Sequence, residues 1–126
     1  MIYTSSFRNV PFLPPDYNMV SISTGTPRGF TGDRFDILTP DWDLVEDLNR
    51  DRISWTVFSD LFSGYLLTLE VDEIAKYLYR SVLLSFDFKS GCSHRPLIVK
   101  WMRESGYEIE EISPGRRSIA ASASSS

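Results

Sequence analysis

One cysteine and one histidine are all that the 126 residues offer of the side chains most used in zinc sites. An internal disulfide needs two cysteines and a structural zinc needs three or four Cys or His ligands, so both are excluded within one chain and no metal is expected. Long apolar runs are also missing. Nothing approaches the roughly 20 residues that span a bilayer, and MIYTSSFRNV has neither the basic nor the apolar region of a signal peptide. A reducing, cytoplasmic setting without membrane contact is the expectation. Basic charge is short as well: thirteen Lys and Arg stand against seventeen Asp and Glu, for a net charge of -4. General coating of duplex DNA is therefore not expected.

The charge that is present is unevenly spread. Residues 36–73 carry ten Asp or Glu and only Arg50 and Arg52, whereas Arg8, Arg28, Arg34, Lys89 and Arg95 fall in other segments. That distribution leaves room for a local basic pocket. At 42% hydrophobic and 24% charged, the chain has the composition of one ordinary domain with a real core.

Periodicity predicts the elements. MIYTSSF reads as a short strand ending near Ser5 and Ser6, and MVSIS as a second strand that enters TGTPRGFTG. The glycines of that loop, Gly25, Gly29 and Gly32, match neither a Walker loop nor the dinucleotide fingerprint, and no cofactor is expected. In TPDWDLVEDL, Thr39 fits an N-cap and Pro40 a first helical position. The carboxylates Asp41, Asp43, Glu46 and Asp47 read as a solvated face that also suits the helix dipole. SWTVFSDLFSGYLLTL has the strongest helical period, through Phe58, Leu61, Phe62, Tyr65, Leu66 and Leu69, and a further helix is expected after Thr68 as its N-cap.

SVLLSF, residues 81–86, is short and continuously apolar at its centre, as a parallel strand buried on both faces should be. A loop, a helix from near Pro96 with a stop at Gly106, and the strand YEIEEI follow, which together make a βαβ unit. The expected fold is a single compact three-layer α/β domain over residues 1–112, with a mostly parallel sheet of about four or five strands flanked by helices. Residues 113–126 read as a polar, disordered tail.

The stretch GCSHRPLIVKWM, residues 91–102, brings Cys92 and His94 together beside Arg95. It would lie at the carboxyl edge of the central strand, where open α/β sheets bind ligands and where a helix N-terminus presents unpaired N–H groups. Arg95 would grip phosphate or carboxylate, Ser93 would supply a hydroxyl and His94 a proton donor or acceptor. A phosphatase-type thiolate is not supported, because the C-x5-R position counted from Cys92 is Ile98. Cys92 reads as a bystander.

The chain resembles the family known as domain of unknown function 488. The likeness runs through MIYTSSF, STGTPRGF with LTPDWDL, GYLLTLEVDEIAKYL and SVLLSFDFKSGCSHRPLIVKWMRESGYEIEEI, and covers most of residues 1–112. It puts His94 and Arg95 on the family pattern but Ser93 where the family has its cysteine, with Cys92 displaced by one residue. The resemblance implies the same three-layer α/β domain, with the Thr4-Ser5-Ser6 end of the first strand near the His-Arg loop, and no defined reaction.

These observations give a leading expectation and a second one. The first is a protein that binds an anionic ligand, related to a nucleotide or a nucleic-acid end, through Ser5, Ser6, Arg8, Arg28, Ser93 and Arg95. In an enzymatic version, His94 or Asp87 would move a proton. The second is a non-catalytic module that sequesters such a ligand or engages a protein partner. A plainer reading has His94 and Arg95 only cap and brace the helix.

Overall fold

The computed structural model of the protein describes residues 1–89 and 91–113. Five strands form one sheet: β1 (Ile2–Ser6), β2 (Asn18–Ser21), β3 (Asp33–Arg34), β4 (Ser81–Ser85) and β5 (Ile109–Ile112). Their spatial order is β3-β2-β4-β1-β5 and every pairing is parallel. The helices are α1 (Trp42–Asn49), α2 (Trp55–Leu66), α3 (Val71–Tyr77) and α4 (Arg95–Glu104). The expected α/β domain with a parallel sheet is what the chain forms. SVLLS is its middle strand and is buried along its whole length.

The two faces of the sheet are covered differently. Register aligns Ile2 with Ile109 and Thr4 and Val20 with Leu83, so period-two alternation sends these side chains to one face. Residues of all four helices join them in one core cluster, which includes Val45, Phe58, Phe62, Ile74 and Ile98. On the other face, Val82 and Leu84 pack with Phe7 and Leu13 and with the half-buried Tyr3, Tyr17 and Phe30. This layer contains a 3-10 turn (Phe7–Phe12) and loops but no α-helix. Handedness explains the asymmetry. The crossovers after β1 and β2 run one way across the sheet and those after β3 and β4 run the other way. Right-handed connections therefore place the first two on one face and the helical pair on the opposite face.

Local chemistry moved two helix starts. Thr39 donates its hydroxyl to the Phe35 carbonyl and closes a 3-10 turn, so α1 begins at Trp42 behind Asp41 rather than at Pro40. Thr68 donates back to the Tyr65 carbonyl, which ends α2, and α3 starts three residues later behind Glu70. In both cases the threonine finished the preceding element instead of opening the next. Gly106, at φ +93°, does end α4, with its N–H on the Arg103 carbonyl. The two-residue β3, both of its residues polar and exposed, had no apolar pattern by which to be recognised. Glu46 and Asp47 pair with Arg50 and Arg52 at the surface, consistent with a solvated face. Apart from Ser113, the polar tail lies outside the described residues.

Leu83 is fully buried on the helical face of the middle strand, whereas Leu67 is 78% exposed. Leu83→Ala should lower stability by about 2–5 kcal/mol and Leu67→Ala by no more than about 0.5 kcal/mol, read from urea unfolding midpoints. Equal effects would contradict this account of the core.

Candidate functional site

The carboxyl ends of β4, β1 and β5 meet the start of α4, and Arg95 sits between them, only 6% exposed. Its guanidinium is engaged on each nitrogen. Nε donates to both oxygens of Glu111 (3.1 and 3.2 Å), Nη1 to the carbonyl and hydroxyl of Ser85 (2.9 and 2.7 Å), and Nη2 to Asp87 Oδ1 (3.0 Å). Thr4 adds a hydroxyl hydrogen bond to Glu111. A buried guanidinium needs such partners, because removal from water without them costs on the order of several kcal/mol per charge. The arrangement links the last residue of β4, the loop after it and the edge strand β5.

The first turn of α4 is also internally satisfied. The Arg95 N–H donates to Ser93 Oγ (3.2 Å), Pro96 has no N–H, and the Leu97 N–H donates to the His94 carbonyl (3.1 Å). Residues 95–97 therefore offer no unpaired amide of the kind the sequence suggested for an anion cradle. Ahead of them, the loop is closed by Phe88 N–H to the Cys92 carbonyl (2.7 Å) and Gly91 N–H to the Phe88 carbonyl (2.8 Å), with Gly91 at φ +86°. Lys89 N–H on Asn49 Oδ1 (2.9 Å) moors the same loop to α1.

His94 points into the core, 1% exposed, edge-on to Phe62 (5.3 Å between ring centroids) and stacked near Phe88 (5.9 Å). Neither ring nitrogen has a hydrogen-bond partner among the described residues. Burial, and then the adjacent Arg95 charge, push its pKa down from 6.5 to about 3, only partly opposed by the nearby backbone of Ile22 and Leu38. Those backbone groups favour the charged ring without reaching hydrogen-bond geometry. The imidazole is neutral at pH 7.

A groove of about 1060 Å³ runs along α4 beside this network. Of the residues singled out from sequence, Arg8, Asp87, Ser93 and Arg95 line it together, and Cys92 is half-buried on its wall. His94 does not line it. Ser5 faces the other side of the sheet, where its hydroxyl donates to the Ile112 carbonyl (2.6 Å) and accepts from Asn9 (3.0 Å). Ser6 is buried at the end of β1, aligned with Ser85, and the exposed Arg28 lies in the β2–β3 loop away from the groove. Sequence reasoning missed Lys100, Arg103 and Glu111. The first two share one face of α4 with Pro96 at helical spacing. Alternation in IEEI puts Glu111 on the core-facing side with Ile109, an anomaly that already asked for a buried cation.

Among the described residues, no group of His, Cys, Asp and Glu is placed to hold a metal ion, and no helix is long and apolar enough to cross a membrane. No family model, curated protein or solved structure matches the chain.

Two outcomes test the site's electrostatics. Arg95→Met should cost about 2–4 kcal/mol in urea unfolding, below the full penalty for orphaning buried charge, because Asp87 and Glu111 remain 36% and 37% exposed. A change within measurement error would remove Arg95 as the brace. For His94, the unfolded chain gains a proton near pH 6.5 and the folded one only near 3. The unfolded state thus holds more protons between these values, and stability falls as pH falls through that window, by up to about 1.4 kcal/mol per pH unit. His94→Leu should flatten the slope of unfolding free energy between about pH 6 and 4; unchanged slopes would refute a buried neutral imidazole.

Proposed function

We propose that this chain is a ligand-binding α/β module that holds a small anionic ligand, of nucleotide or nucleic-acid-end type, in the groove along α4 without turning it over. The observation that carries the reading is the charge of the groove. Arg8, Arg95, Lys100 and Arg103 line it with Asp87, Glu104 and Glu111, four cations against three carboxylates in a chain of net charge -4. Arg95 is compensated by Asp87 and Glu111, whereas Arg8 and Lys100 are exposed and have no ion pair among the described residues. Cations held at a concave wall with their charge uncancelled attract anions over several ångströms.

Size and lining favour a nucleotide over a bare inorganic anion. The volume is that of an ordinary small-molecule site, and Trp55 and Leu97 give it apolar wall beside the cations. The position at the carboxyl edge of a parallel sheet is where open α/β domains bind ligands. Holding is preferred to catalysis because the imidazole, the natural proton carrier near neutral pH, is neutral in the core and off the groove.

Melting temperature should rise with concentration of AMP or of a 5′-phosphorylated trinucleotide at low salt. A ligand at a hundredfold its Kd adds about 2.7 kcal/mol, a shift of several degrees for a domain of this size. Arg8→Glu should weaken that binding by roughly tenfold or more with little change in the ligand-free melt. No shift with any phosphate-bearing ligand would overturn the reading.

A further inference from the structure

Asp87 occupies an unusual electrostatic position within the groove. One oxygen, Oδ1, accepts from Arg95 Nη2 at 3.0 Å, while Oδ2 has no hydrogen bond among the described residues, and the side chain is 36% exposed on the groove wall. Its direction is set from behind by Arg95, whose side chain is itself 7% exposed and whose guanidinium is bonded to Ser85 and Glu111. The carboxylate is therefore oriented before any ligand arrives, and it shares one guanidinium with Glu111. What it offers the groove is a fixed oxygen acceptor.

We propose that Asp87 is a specificity-determining residue that selects ligands carrying a sugar hydroxyl, which donates to Asp87 Oδ2 while the ligand's anionic group lies against Arg8 and Lys100. This rests on the anionic-ligand reading of the groove. A hydroxyl meets this free oxygen with a single donated hydrogen bond, and it is a donor that a sugar phosphate carries beside its anionic group. A second phosphate or carboxylate there would meet the oxygens of Asp87 and Glu111 and be repelled. The same two carboxylates that keep Arg95 from gripping an anion thus make this part of the groove selective for a donor. A preorganised acceptor rejects an analogue that lacks the donor, since its lone pair would be covered and left unpaired.

The test compares AMP with 2′,3′-dideoxy-AMP, which has the same base and phosphate and no sugar hydroxyl, by calorimetric titration of the full chain. Wild-type protein should bind AMP about tenfold more tightly, the contribution of one hydrogen bond to a charged acceptor. Asp87→Ala, which removes the acceptor and leaves Arg95 on Ser85 and Glu111, should bring the ratio close to one. Equal affinities in the wild-type protein would overturn the inference without recourse to any variant, as would a ratio that survives in Asp87→Ala. Should the Asp87→Ala variant fail to fold, the wild-type ratio decides alone. Stabilisation by inorganic phosphate with no binding of either nucleotide would reject the hydroxyl acceptor alone. No binding of any anion would reject the groove reading together with it.

Discussion

One buried guanidinium holds together the polar end of this domain. Parallel sheets collect their strand carboxyl ends at one edge, and here that edge contains hydroxyls, a carbonyl and two acidic side chains where an apolar core would be easier to build. Arg95 makes the arrangement stable: its planar fork reaches β4 through Ser85, the following loop through Asp87 and the edge strand through Glu111. A lysine, with a single compact ammonium, could not address three directions at fixed angles. Removal of both carboxylates would leave the Arg95 charge in a place poor in water, whereas removal of Arg95 leaves two carboxylates that water partly reaches.

The same pairing divides the chemistry of the groove. The cation needed to hold the fold, Arg95, is buried and paired, while Arg8 and Lys100, on neighbouring elements, remain at the surface with their charge available. Sequence order gives no hint of that division, since Arg8 and Arg95 are the same residue type and each follows one of two adjacent strands. Burial separates them: Arg95 projects from a helix start beneath the sheet edge, and Arg8 from an exposed turn. The recognition surface is built on the structural one without sharing its cations.

Much of the fold was legible because period and length spoke clearly. The middle strand announced itself as an uninterrupted apolar run, α2 by its aromatic stripe and the last βαβ unit by its spacing. Less legible were features decided by which neighbour a side chain bonds. Thr39 and Thr68 are good N-caps in composition, yet each turned backward to a carbonyl already in place. At the site, proximity in sequence grouped Ser93, His94 and Arg95, but consecutive residues at a helix start point different ways, and the histidine went inward between Phe62 and Phe88. The long-range partner Glu111 was concealed by its distance along the chain, although its place in the alternation of β5 was visible.

The helix-free face of the sheet carries a consequence for how this protein tolerates change. Its cover is a thin layer of rings, with Phe7 against Phe30 and Phe86 and Tyr3 against Tyr17, carried by a short 3-10 segment, loops and the sheet itself rather than by an α-helix. A helical layer transmits an inserted residue along its whole axis by rotating every later side chain through about 100°. A layer of turns absorbs the same insertion locally, provided each ring keeps its seat. An inserted residue in the connections on this side therefore leaves the register of α4, on the far side, unchanged.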